Sequence, residues 1–235
     1  MKLYDAPWAP SPRRVRIFLA EKGLEVPREA IDLRSGEQLG DTYLQINPRG
    51  AVPALELDDG EILCESAAIC RYFEALHPEP PLFGTRAIEI GRIESWTRRI
   101  EGDGYAAAVY VLRNTVAAFK DRAIPDAGLA VVQIPELAAR GAQMWDGFTQ
   151  ALDQRLADRD WIAGGGYSFA DITALVTIDF ARAAKLAVPE RLVHLGRHQV
   201  TLVSPRRVAG GRPRTETGGR AVARPPDWVP SVPRD

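Results

Sequence analysis

The 235-residue chain has no apolar run near the ~20 residues that a membrane-spanning helix requires. Its two cysteines, Cys64 and Cys70, are too few for a disulfide framework, and their spacing is not the C-x-x-C of a dithiol redox site. Both are expected to be reduced, with Cys70 serving as a small buried hydrophobe on a helix face. The three histidines, His77, His194 and His198, show no metal-ligand spacing, so no metal site is expected. Met1 to Asp5 lacks the apolar core of a secretory leader. A soluble, cytoplasmic protein with no membrane partner is expected.

Excess positive charge is also missing. The tail from Arg197 onward holds eight arginines and three acids, which leaves 22 basic and 28 acidic groups in residues 1–196, a net charge near −6. Nucleic-acid binding is therefore not expected, because its long-range attraction comes from a basic surface. With 46% hydrophobic residues, the chain can bury one large core or two modest ones.

Lys2 to Tyr4 reads as a short strand, followed by a proline-rich loop and a helix from about Arg13 to Lys22 that buries Val15, Phe18 and Leu19 and stops at Gly23. Strands are expected at 28–33, 54–57 and 61–63, with a possible short helix at 41–45 and a hairpin turn at Asp58-Asp59-Gly60. A helix from Ser66 to Leu76 presents Ile69, Phe73 and Leu76 on one side. The order is βαβ then ββα, a thioredoxin-like order. The proline-rich stretch 78–84 reads as a linker.

Beyond it the pattern is helical. Ile93, Trp96 and Ile100 share a face, as do Met144, Phe148, Leu152 and Leu156, and Ile172, Leu175 and Ile178. Ser168-Phe169-Ala170-Asp171 is a Ser-x-x-Asp variant of the capping box, expected to be structural. From Arg197 the helical period is lost in favour of Arg, Pro and Gly, so residues 197–235 are expected to be a disordered tail.

Two segments carry chemistry. In Asn47-Pro48-Arg49-Gly50-Ala51-Val52-Pro53, a turn delivers an X-Pro bond to the start of a strand. A cis bond before Pro53 would turn the N–H and C=O of Val52 outward, where an extended peptide could pair with them. In Cys64-Glu65-Ser66, a strand runs into a helix whose first N–H groups favour a carboxylate. Taken separately, the first segment is more often an ordinary turn and the second an ordinary N-cap.

Their order and spacing resemble the glutathione-binding half of the glutathione transferases, nearest to bacterial cytosolic theta- and zeta-like members. The resemblance covers about residues 1–196 and implies an α/β thioredoxin-like domain at 1–77, a linker at 78–84 and an all-α domain at 85–196. It implies glutathione as co-substrate, a hydrophobic electrophile as its partner, and a homodimer. Val52 and Pro53 would face the cysteinyl unit, Ser66 the γ-glutamyl carboxylate and Glu65 its ammonium. Gln38, fourteen positions before Val52, matches by spacing a zeta-class glutamine at the glycyl end, and is otherwise a solvated loop residue.

The activating residue is where the chain departs from the pattern. Alignment on Arg14-Val15-Arg16 puts Ala9 where serine- and cysteine-type members carry their donor. Tyr4 is one residue off the tyrosine-type position, and a one-residue slip on a strand points the side chain to the opposite face. Ser11 remains as the catalytic candidate, or as a helix N-cap. Arg13 and Arg14 add positive field nearby or, as the favoured reading, form a solvated helix face. Trp8, Tyr105, Val109, Tyr110 and Leu112 are candidates for an apolar wall. The alternatives to a transferase are a glutathione-dependent isomerase and a glutathione-binding protein without turnover.

Overall fold

The computed structural model describes residues 1–124 and 130–203. Four short strands, β1 (Lys2–Asp5), β2 (Arg28–Ala30), β3 (Ala54–Glu56) and β4 (Ile62–Cys64), form one sheet in the order β2-β1-β3-β4. β1 runs parallel to β2, while β1–β3 and β3–β4 are antiparallel. Alternation along the strands sends Leu3 and Leu55 to one face and Tyr4 and Ala54 to the other. Helices α1 (Pro10–Lys22) and α3 (Ser66–Leu76) cover the Leu3 face with Val15, Phe18, Ile69 and Phe73. The short helix α2 (Asp41–Leu44) brings Tyr43 to the other face.

α1 starts three residues earlier than its hydrophobic period suggests, because Pro10 and Pro12 both fit the first helical turn, where no N–H bond is needed. It stops at Gly23, whose φ of 66° favours glycine. On α3, Ile69 and Phe73 are buried but Leu76 is 49% exposed, so the expected face is two residues wide.

In the stretch 78–84, residues 78–81 are exposed but the end packs closely. Leu82 and Phe83 are buried, the Leu82 carbonyl accepts the Phe169 N–H at 2.8 Å, and the Phe83 ring stacks on Phe169 at 4.4 Å. Phe18 joins the same group from α1. Burying rings of this size stabilises the seam by about 1.5–3 kcal/mol each.

The remainder is helical: α4 (Ala87–Arg99), a π-helical turn (Ile100–Tyr105), α5 (Ala106–Thr115), α6 (Pro135–Arg155), α7 (Phe169–Ala181) and α8 (Val193–Val203). α4, the π turn and α5 follow one another without a break, and Gly104 in the π turn lies so close to Phe148 that a Cβ there would meet its ring at 2.6 Å. α7 is buried on nearly every side rather than on the single expected face. Asp171 at its start accepts hydrogen bonds from Ser168 N and Oγ, both 2.9 Å, and from Ile162 N at 3.0 Å.

α8 corrects the expectation that residues 197–203 belong to a disordered tail. Leu195, His198 and Leu202, spaced at three and four, are buried on one side, and Asp153 of α6 accepts the N–H groups of His194 and Leu195 at 2.9 Å. Arg197 donates to the Leu156 carbonyl at 2.8 Å. The helical period thus continues past 196, hidden in the sequence by the polar Arg197, His198 and Gln199. The expectation for 204–235 lies outside the described residues. No helix of the described residues is long and apolar enough to cross a membrane.

Replacing Asp171 by Ala leaves three buried donors unpaired and is expected to lower unfolding free energy by at least about 2 kcal/mol, read from a urea midpoint.

Candidate active site

A cavity of about 460 Å³ lies between the sheet domain and the helices, and Ser11, Gln38, Val52, Pro53, Glu65 and Ser66 all line it. The turn before Val52 is pinned from inside. Asn47 Nδ2 and the Tyr43 hydroxyl both donate to the Ala51 carbonyl at 2.7 Å, Asn47 Oδ1 accepts the Arg49 N–H, and Gly50 adopts a φ of 59° that suits glycine. The Val52–Pro53 bond is cis. Among the described residues, neither the N–H nor the C=O of Val52 makes a hydrogen bond.

Facing that segment is the start of α3. Glu65 precedes it with a φ of 69°, a region that costs a non-glycine residue about 1–3 kcal/mol and is concentrated at ligand clamps. The first α3 acceptor is the Glu65 carbonyl, bonded by Ile69 N, so the N–H groups of Ser66, Ala67 and Ala68 lie ahead of the helical ladder. Glu65 itself is exposed and pairs with Arg49 at 2.8 Å. Gln38, in a short 3₁₀ turn, is 5% exposed, and its Oε1 has no partner among the described residues. A buried amide left open toward a cavity suits a ligand that completes its bonds; the solvated-loop alternative does not fit this burial.

Ser11 is the second residue of α1, and Ala9 holds the N-cap position, so Ser11 does not cap the helix. Its Oγ lies 3.3 Å from the Tyr105 hydroxyl. Burial raises the Tyr105 phenol above its usual range, partly offset by Ser11, and keeps it a proton donor at neutral pH. Its ring stacks on Phe180 at 5.1 Å. Tyr4 is buried on the opposite sheet face, donating to Glu56 at 2.6 Å, and does not line the cavity.

Arg13 and Arg14 do not form a solvated face. Arg13 pairs with Asp179 of α7 at 2.9 Å. Arg14 donates to Ser66 Oγ from Nε at 3.1 Å and from Nη2 at 2.6 Å, while Nη1 reaches Glu101 in the π turn at 2.5 Å. Both side chains are only 13% exposed, because α1 is sandwiched between α3 and the helical domain. Sequence reasoning missed this role, since a run of two arginines has no periodic signature of burial.

Trp8, Val109 and Leu112 line the cavity as expected, and Tyr105 contributes its hydroxyl as well as its ring, whereas Tyr110 lies beside Gly141 of α6 and off the cavity. Arg113 also lines it, stacked over Phe119 at 4.8 Å. Burial, reinforced by Arg122, pushes its guanidinium down to about 10. Tyr105, Val109 and Arg113 stand four residues apart, a spacing that marks one helix face and could have revealed Arg113. Cys64 lines the cavity too, but burial and Glu65 push its thiol up, away from the thiolate a nucleophile needs. Among the described residues, no group of three or more His, Cys, Asp or Glu is placed to hold a metal ion.

Comparison with known proteins decides what the arrangement belongs to. Residues 8–76 match the family described as glutathione S-transferase, N-terminal domain, and residues 146–204 match glutathione S-transferase, C-terminal domain. Glutathione S-transferase 2 of Saccharomyces cerevisiae is 35% identical over 195 residues, covering 81% of this chain and 80% of the yeast protein. The chain belongs to the glutathione S-transferase family. Among solved structures, Gtt2 from Saccharomyces cerevisiae superposes with a TM-score of 0.78 at 32% identity, over 89% of this chain and 99% of that one. Maleylacetoacetate isomerase of Pseudomonas aeruginosa is 42% identical over 94 residues, 39% of this chain and 44% of its own length. The glutathione S-transferase architecture expected from the sequence, a thioredoxin-like domain followed by helices, is therefore present.

In this transferase Arg14→Gln removes the bidentate hold on Ser66 and leaves Glu101 with Arg98 alone. A loss of about 1–3 kcal/mol in unfolding free energy is expected, with Arg14→Lys recovering only part of it, because an ammonium cannot bridge both partners.

Proposed function

We propose that the chain adds the glutathione thiolate to a hydrophobic electrophile, with the sheet domain gripping glutathione and the helices supplying the electrophile's wall. One observation carries this reading: an unpaired Val52 main chain, the tip of α3 and a Ser11–Tyr105 hydroxyl pair converge on one cavity. Glutathione offers two carboxylates, an ammonium and a thiol. Val52 would pair through its N–H and C=O with the cysteinyl unit, beside Pro53. Ser66, oriented by Arg14, and the leading N–H groups of α3 would take the γ-glutamyl carboxylate, with Glu65 toward the ammonium. Gln38 would complete its amide bonds at the glycyl end.

The thiol needs help, since a free thiol has a pKa near ~8.5 and only its thiolate attacks well. Ser11 is the catalytic hydroxyl in this reading, donating to sulfur, and Tyr105 orients or shares that donation. The thiol proton leaves to solvent. The sulfur electron pair then forms the bond to the electrophilic carbon, and the leaving group departs with its own pair. The positive end of α1 adds a favourable field at the same point. A homodimer in the cytoplasm is part of this proposal and rests on family membership.

A glutathione-dependent isomerase is the second reading, favoured by the 94-residue similarity to the Pseudomonas isomerase. It uses the same thiolate but regenerates glutathione, so consumption of the thiol separates the two. Retention of glutathione with no turnover of either kind would instead indicate a binding protein, consistent with the alanine at position 9.

Removing a positioned donor typically lowers turnover by ~10²-fold, and with two hydroxyls sharing the task Ser11→Ala is expected to lose about tenfold or more. It should also raise the thiol pKa of bound glutathione, followed by thiolate ultraviolet absorbance. Steady-state conjugation of a chloronitrobenzene by the parent, Ser11→Ala and Tyr105→Phe provides the rates. An unchanged rate and an unchanged thiol pKa in Ser11→Ala would remove Ser11 from its role.

A further inference from the structure

The charge on the cavity wall is lopsided: Arg34, Arg49, Arg113 and Arg122 line it against the single acid Glu65. Glu65 answers Arg49. Arg113 has no such partner among the described residues. Its Nη1 donates to the Arg122 carbonyl at 2.8 Å, its guanidinium lies over the Phe119 ring, and Arg122 brings a second cation beside it. Among the described residues, this half-buried guanidinium with a ring, a carbonyl and another cation around it has no anion to offset its desolvation.

In the proposed function glutathione does not supply that anion, because its carboxylates are assigned to the α3 tip and to Gln38 on the sheet domain, whereas Arg113 rises from α5 within the apolar group of Leu112 and Phe119. On the ladder Tyr105, Val109, Arg113, the backbone of Arg113 stands two steps beyond that of Tyr105, about 12 Å along the helix.

We propose that Arg113, with Arg122 at the rim, is an anion subsite for the electrophile, so that this cavity selects electrophiles carrying a carboxylate at the end away from the reacting carbon. This rests on the reading of the cavity as the electrophile's site in a transferase. A planar guanidinium stacked on an aromatic ring presents its remaining N–H groups in the geometry that grips a carboxylate with two parallel bonds. The apolar wall of Val109 and Leu112 then holds the body of the molecule between the anion and the thiolate.

The test uses binding, so that it does not depend on turnover. A nitrobenzoate and its uncharged nitrobenzamide are titrated calorimetrically into the full chain, free and saturated with glutathione. The parent is expected to bind the acid at least about tenfold more tightly than the amide, as a charge-assisted pair allows. In Arg113→Gln that advantage should fall to less than about threefold, and Arg122→Gln should reduce it by about half. Equal binding of acid and amide by the parent overturns the subsite without any variant, and an advantage that survives Arg113→Gln overturns its assignment to Arg113. If the acid preference holds while glutathione itself gives no binding, the anion subsite stands and the transferase reading fails.

Discussion

The guanidinium of Arg14 ties the sheet domain to the helical domain beside the cavity. Two of its nitrogens hold the Ser66 hydroxyl at the start of α3, and the third reaches Glu101 in the π turn that leads into α5. The group that orients Ser66 at the α3 tip of the sheet domain is thereby tied to the segment that presents Tyr105. Arg13, one residue earlier, is tied to Asp179 of α7. α1 is the common member of both domains, and its N-terminal end, where the proposed thiol site lies, is held between them. The aromatic seam of Phe18, Phe83 and Phe169 reinforces the same junction with apolar contact, so that electrostatic and hydrophobic ties agree.

The π turn explains how a helix can supply both a wall and a polar group. Glu101-Gly102-Asp103-Gly104 is a poor helical sequence, yet the chain stays helical by widening for one turn, and Gly104 lets Phe148 of α6 press against the backbone. The widening places Tyr105 on the side facing Ser11 while Ile100 remains in the core. Helical regularity over 87–115 would have set these two residues on a different relative bearing.

Much of this was legible in the sequence. The strand and helix order, the turn at Val52-Pro53, the Glu65-Ser66 helix start and the Ser168-to-Asp171 box all depend on local chemistry: proline geometry, capping hydroxyls and hydrophobic period. Those signals survive in one dimension. What escaped depends on tertiary placement. Arg14 looks like any surface arginine until α3 and the π turn close around it. Ser11 looked able to cap α1, but two prolines start the helix earlier and move the cap to Ala9. The sequence does not extend α8 past 196 because its buried face is carried by Leu195, His198 and Leu202 among polar neighbours, and the acceptor at its start, Asp153, is 41 residues before His194 in the chain.

The central claim is that Val52 and the α3 tip together grip a tripeptide, one by main-chain pairing and the other through its γ-glutamyl carboxylate. Calorimetric titration of reduced glutathione, beside the dipeptide cysteinylglycine that lacks the γ-glutamyl unit, tests it directly. The account predicts saturable heat with glutathione and affinity for the dipeptide weaker by at least about tenfold, the loss of one charge-assisted contact. No heat with glutathione, or equal affinity for the two peptides, would contradict it.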